Sequence, residues 1–279
     1  MAGILTFLIC TPLRAFSIGG YPAIYHSGII GFVIYSLVTY FVCRKYSGKV
    51  SPHIVLCTII MAVIIIQLPG RIFDFKSSLF TLPEQILHII GVWVGYAHYR
   101  HCINKWWSIT IGVAAYIILI ILLIPPFYHY LWFGTANGHI SPKRLSDFSI
   151  INKEKDTIKL HSMESSYILF EIWYTGCGSC YKSFPVLDDF YQKYKDSKEF
   201  AIYSLNIPFK QNKEDPFTLI EEYQTSPLQL SQDDKDMFIK ETGLQVYPTT
   251  IVLNKKRQII FRGDLKRGMK YLQDIISDP

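Results

Sequence analysis

Acidic residues are almost absent from the first half of this 279-residue chain. Residues 1–139 hold only Asp74 and Glu84 against eight basic residues, Arg14, Arg44, Lys45, Lys49, Arg71, Lys76, Arg100 and Lys105. All of the net charge of +6 therefore lies there, the remaining residues carrying 20 of each sign. A basic excess spread thinly through apolar sequence belongs to loops flanking membrane spans, and this excludes nucleic acid as a partner. The chain also lacks internal repeats and low-complexity tracts. Cysteine is scarce, six in all, and the second half has only Cys177 and Cys180, with His161 its only histidine after His139. Four nitrogen or sulfur ligands cannot be gathered there, which excludes a zinc site in that half. The first half contains no CxxC.

What the first half does have is hydrophobic length. A span needs roughly 20 apolar residues, and four stretches approach this, 27–43, 52–68, 84–99 and 106–127, the last with the run AAYIILIILLI. Pro52 and Pro83 stand where helices can begin, and Tyr and Trp cluster near the ends as an interfacial belt does. The expectation is an all-α, multi-span domain over 1–133 that lies in the inner or plasma membrane and contacts the lipid bilayer. Residues 1–26 lack the positive start of a signal peptide, and interfacial, re-entrant and spanning readings stay open for them. Arg44, Lys45 and Lys49 follow the first stretch and Arg100 and Lys105 the third, against Arg71 and Lys76 after the second. Basic loops stay in the cytoplasm, so the C-terminal half is expected on the extracytoplasmic (periplasmic) side.

A connector over 134–142, with Gly134, Asn137, Gly138 and Pro142, leads into a mixed, charged segment over 143–279. Residues 167–173 form an apolar and aromatic run broken by one acid, the pattern of a strand buried on both faces. Phe184, Leu187, Phe190 and Tyr194 recur at spacings of three and four, predicting an amphipathic helix over 178–195. Residues 200–205 read as the next strand, 233–242 as a helix closed by Gly243, 249–253 and 258–261 as a hairpin, and 269–276 as a last helix.

The chemistry is concentrated where the first of these strands gives way to a helix, in Trp173-Tyr174-Thr175-Gly176-Cys177-Gly178-Ser179-Cys180. A two-residue gap brings both sulfurs within bonding distance across one turn. Backbone N–H groups at a helix start stabilise a thiolate on the first cysteine, and such sites bring its pKa to about 3.5–7.5. Cys177 is therefore the candidate nucleophile, and Cys180 resolves the mixed disulfide by attacking it. A purely structural disulfide would close too short a loop to constrain the unfolded chain much.

Strand, WxxxCxxC, helix and the distant Tyr247-Pro248-Thr249 together resemble the thioredoxin superfamily, and within it the membrane-tethered TlpA/ResA-like redoxins. The resemblance covers residues 141–276, half of the chain. It implies an α/β domain with a central mixed sheet flanked by helices, a cis proline at Pro248, and thiol:disulfide oxidoreductase activity on protein thiols and disulfides outside the cytoplasm. It implies that Trp173, Gly176, Tyr247 and Pro248 meet the substrate and that no cofactor or metal is needed beyond the Cys177–Cys180 pair. Pro185 matches the proline that bends the active-site helix, 145–150 with 157–160 the group's additional hairpin, and 208–232 its insertion. The departures are Gly176, where an aromatic residue is common, and Ser183, where many members carry glutamate. Glu171 falls on the position of the buried acid of thioredoxin itself; burial should raise its pKa and suit it to relay a proton for Cys180, the alternative being an edge-shifted strand from which Glu171 reaches solvent.

Two other readings are weighed. Cys10, Cys43, Cys57 and Cys102 could pass electrons through the bilayer from a membrane or soluble donor, as in quinone-linked proteins that resemble this layout; alternatively they are small hydrophobes in apolar helices. His26, His53, His88, His98, His101, His129 and His139 could ligate haem or metal, or simply sit at span ends. A non-catalytic thioredoxin-like binding module is disfavoured because both cysteines are present.

Overall fold

The computed structural model describes residues 22–101, 105–197, 199–210 and 214–277, in two compact units that meet between Pro125 and Pro126.

The first unit is helical. α1 (Pro22–Lys45), α2 (Pro52–Phe73), the single turn α3 (Phe75–Ser78), α4 (Leu82–Tyr99) and α5 (Lys105–Ile117) follow one another. Residues 105–133 are helical throughout, α5 passing through a π-helical segment, Ile118–Leu123, into α6 (Ile124–Phe133). The cause is local: Pro125 and Pro126 offer no N–H and their rings crowd the carbonyls one turn back, and a wider turn relieves both. Among the described residues, one helix, over Gly28–Lys45, is long and apolar enough to cross a membrane, and Pro52–Ile66 is a shorter apolar helix.

Small residues set the spacing of α1 and α4. A Cβ at Gly91 would lie 2.4 Å from the Phe32 carbonyl oxygen, and one at Gly95 2.1 Å from that of Ser36. This is the small-xxx-small device by which membrane helices approach closely. Opposite that seam, α1 turns Val33, Leu37 and Phe41 outward, each about half exposed.

The second unit is built on one eight-stranded sheet in the order β1-β8-β7-β4-β5-β6-β2-β3. Its strands are β1 (His139–Arg144), β2 (Ser149–Ile151), β3 (Thr157–Lys159), β4 (Tyr167–Trp173), β5 (Phe200–Asn206), β6 (Ser226–Leu230), β7 (Thr249–Leu253) and β8 (Gln258–Gly263). β4, β5 and β6 are parallel, and β7 returns antiparallel to β4. The hairpin of β2 and β3 extends the edge at β6. Residues 134–142, expected as connector, end inside β1, whose polar HISPKR has no alternation because an edge strand is held by its backbone ladder to β8.

Period two along β4 sorts its side chains. Ile168, Phe170 and Ile172 enter one core with Phe148, Leu205, Phe238 and Ile251. Leu169 and Trp173 enter the other, with Val252 and Phe261 of the sheet, Leu187 of α7 (Phe184–Tyr194) and Leu272 of α10 (Leu265–Ser277). The remaining helices are the turn α8 (Pro216–Leu219) and α9 (Lys235–Thr242), the latter closed by Gly243 at φ +65°. α8 and β6 occupy the insertion expected at 208–232.

Gly95→Ala places a methyl group against backbone, which cannot step aside. It should destabilise the helical unit by about 1–3 kcal/mol, read as a lowered melting temperature of the full-length chain in detergent.

Candidate active site

The loop that leaves β4 turns back on itself, Cys177 N–H donating to the Tyr174 carbonyl at 3.0 Å and Cys180 N–H to that of Cys177 at 3.0 Å. Cys177 and Cys180 are bonded, S–S 2.02 Å. The expected helix over 178–195 is instead a 3₁₀ turn, Cys180–Lys182, followed by α7, which starts around Pro185, where a missing N–H is harmless. A short turn has little macrodipole, so direct donors matter more at the first sulfur. Cys180 N–H lies 3.2 Å from Cys177 Sγ and the Ser179 hydroxyl 3.4 Å from it. When the S–S bond opens, both favour a thiolate there.

The two sulfurs differ in access. Cys180 is fully buried, whereas Cys177 is 4% exposed and is flanked by exposed Gly176 and Gly178, with open space beside Gly178. The Tyr247–Pro248 peptide is cis, and the Tyr247 carbonyl accepts a hydrogen bond from Ser179 at 3.4 Å, which places it beside the dithiol. Tyr247 meets Tyr174 and Phe209 edge-on, at centroid distances of 5.0 and 6.0 Å. Burial pushes the Tyr247 phenol up to about 12, so it stays a neutral donor. Trp173, expected at the substrate surface, is 1% exposed and packs edge-on against Phe184 beneath the loop. The sequence reading missed Tyr174, Ser179 and Phe209; Phe209 was hidden because it lies in the insertion.

Glu171 shares the dithiol face of β4 with Leu169 and Trp173 and is fully buried. Register sets Thr250 of β7 on one side of it and Ser204 of β5 on the other, both also fully buried, making a polar row across an apolar sheet face. The Thr250 hydroxyl donates to Glu171 Oε2. Ser183 donates to the Cys180 carbonyl at 2.7 Å and is also within reach of the carboxyl. Burial pushes Glu171 up to about 7; the hydrogen bonds from Thr250 and Ser183 oppose the shift and the charge of Asp264 adds to it. A cleft of about 310 Å³ opens onto it, lined also by Ser179, Ser183, Pro248, Asp264 and Lys266.

Among the described residues no group of three His, Cys, Asp or Glu side chains could hold a metal ion. Cys43 is buried in the α1, α2 and α4 core and Cys57 is exposed, neither of them bonded, while Cys10 and Cys102 lie outside the described residues.

No family model and no curated protein matches the sequence. Solved structures similar to the C-terminal half include the thioredoxin domain of a thiol-disulfide oxidoreductase from Bacteroides vulgatus, 20% identical, with 49% of this chain and 99% of that one covered and a TM-score of 0.43. A thiol:disulfide interchange protein from Bacteroides sp. is 22% identical, with 49% and 88% covered and a TM-score of 0.42. The exposed lipoprotein thioredoxin of Streptococcus pneumoniae is 15% identical, with 47% and 99% covered and a TM-score of 0.39. The dithiol at the end of the first central strand, the cis proline before β7 and the mixed sheet make the C-terminal unit thioredoxin-like in fold.

Because the folded Glu171 holds its proton to about pH 7 and the unfolded one only to about 4.5, stability falls as pH rises through that window and is flat above it. Glu171→Gln cannot ionise, so it should stabilise the oxidised chain by about 3 kcal/mol at pH 8 and hardly at all at pH 4. Urea unfolding of both chains at the two pH values checks this.

Proposed function

We propose that the chain is a thiol:disulfide oxidoreductase that acts on protein disulfides outside the cytoplasm, held at the membrane by its N-terminal helices. One observation carries the catalytic reading: the two cysteines are bonded in the loop that leaves the first central strand, Cys177 between exposed glycines and Cys180 fully buried, and the dithiol face of that strand buries a carboxyl, Glu171, pushed up to about 7.

In the reduced form the Cys177 thiolate attacks one sulfur of a substrate disulfide. A mixed disulfide forms and the other substrate sulfur leaves as a thiolate. Cys180 gives its proton to Glu171 and attacks Cys177 Sγ, which releases the second substrate sulfur and restores the Cys177–Cys180 bond. Two electrons have then passed to the substrate. Run in reverse, with Glu171 returning the proton to Cys180, the same steps oxidise a substrate dithiol. Gly176 adjoins Cys177, and Tyr247 with the cis Pro248 lies beside the dithiol, so that these residues would meet an extended substrate segment.

The membrane reading has its own support. All four apolar stretches are helical, Val33, Leu37 and Phe41 face outward where lipid would cover them, and the glycines of α4 seat it against α1 as in membrane bundles. The basic residues after α1 and α4 support cytoplasmic loops there and a dithiol on the outer side.

Insulin reduction by the full-length chain in detergent, with dithiothreitol as reductant, tests the claim. Cys177→Ser should fall to the uncatalysed rate, while Cys180→Ser should accumulate a mixed disulfide with substrate, visible on non-reducing gels. Turnover by the wild-type chain no faster than by Cys177→Ser would overturn it.

A further inference from the structure

The polar row that holds Glu171 does not stop at Thr250. The next residue across the sheet, on β8, is Gly263, paired directly with Thr250. A Cβ there would fall 2.6 Å from His129 Nε2, so the missing side chain makes room for an imidazole carried by α6. His129 is 1% exposed, and its Nδ1 lies 2.5 Å from the Thr135 carbonyl. That contact fixes the tautomer: Nδ1 donates, and Nε2 of the neutral ring is left as a bare, buried acceptor without a hydrogen-bond partner among the described residues. The group it faces is Asp264, 3.7 Å away, the residue after Gly263.

Asp264 is thus shared. On one side its Oδ2 meets His129 Nε2, and Arg267 Nε approaches the same oxygen at 3.5 Å. On the other side Asp264 lines the cleft that opens onto Glu171. We propose that Asp264 is a positioning residue for the dithiol site, one carboxylate set between Glu171 and His129 that holds a proton on the first and draws one to the second. This deepens the oxidoreductase reading and rests on Glu171 as the proton carrier for Cys180.

The electrostatics have a definite sign. Glu171 faces Thr250 from β7, Ser204 from β5, Ser183 from the turn before α7 and Asp264 from the loop before α10, with Lys182 and Lys266 on the rim of the cleft. The negative charge of Asp264 opposes ionisation of Glu171 and keeps the proton that Cys180 needs when the disulfide is opened. At His129 burial pushes the imidazole down; the Thr135 carbonyl and Asp264 raise it, and Arg267 lowers it further. Arg262 points its guanidinium elsewhere, Nε donating to the Phe133 carbonyl at 2.6 Å and Nη1 to that of Thr242. Asp264 therefore raises proton affinity on both sides at once, and Arg267 counters it.

The test uses the full-length chain in detergent with two readouts. Histidine labelled at the ring carbon reports the His129 titration, its signal assigned by its loss in His129→Gln. The pH dependence of the dithiol potential reports Glu171 as a break near neutrality that Glu171→Gln removes. Asp264→Asn should lower both midpoints, Asp264→Glu should restore them, and Arg267→Gln should move the His129 midpoint upward. A structural role alone would not give opposite shifts from two neighbouring side chains. Unmoved midpoints in Asp264→Asn, or a shift at His129 without one at the break, would overturn the inference. If Asp264→Asn does not fold, Arg267→Gln decides: an unmoved or lowered His129 midpoint overturns it. If the break survives in Glu171→Gln, the relay reading of Glu171 fails instead, and the inference falls with it.

Discussion

A carboxyl group buried on the dithiol face of β4 is the constraint around which the second unit is arranged. Burying Glu171 without a partner would cost several kcal/mol if it stayed charged. The fold answers in two ways. Register brings Thr250 and Ser204 to either side of it, and Glu171 lines a cleft with Ser183, Asp264 and Lys266. The outcome is a carboxyl whose pKa burial pushes up to about 7, and Ser183, which reaches it, also donates to the Cys180 carbonyl. Stability is lost as pH rises from about 4.5 to about 7, the cost of holding a carboxyl that can change charge near neutrality.

The same strand explains why the two sulfurs are unequal. β4 is buried on both faces, so the chain can reach the surface only after Trp173, and the first cysteine arrives there while the second is drawn back under α7. Cys177 lies between exposed glycines, and Cys180 is fully buried.

Much of this was legible in the sequence, for identifiable reasons. Cys177 and Cys180 are tied by a short spacing, β4 by an unbroken apolar run, and Glu171 by being the one acid within that run. Pro248 depended on resemblance. The partners of Glu171 were not legible, because Thr250 lies 79 positions away and meets it only through strand register. Gly263 lies beyond the strand expected at 258–261, and only in three dimensions is its missing Cβ the seat of His129. β1 escaped because an edge strand needs no hydrophobic alternation, and the active-site helix begins later than its periodicity suggested because residues 178–183 are spent on the dithiol turn. In the first unit, hydrophobic length gave helices but not their close approach, which depends on Gly91 and Gly95 meeting backbone.

The central claim is that Cys177 and Cys180 are an exchanging pair rather than a fixed cross-link. Equilibrating the full-length chain in glutathione and dithiothreitol buffers of graded potential, then trapping free thiols by alkylation and weighing the protein, measures this directly. The account predicts a two-electron transition between about −270 and −120 mV, the range spanned by working dithiols of this fold. A pair that stays bonded to below about −300 mV, as structural disulfides do, would contradict it.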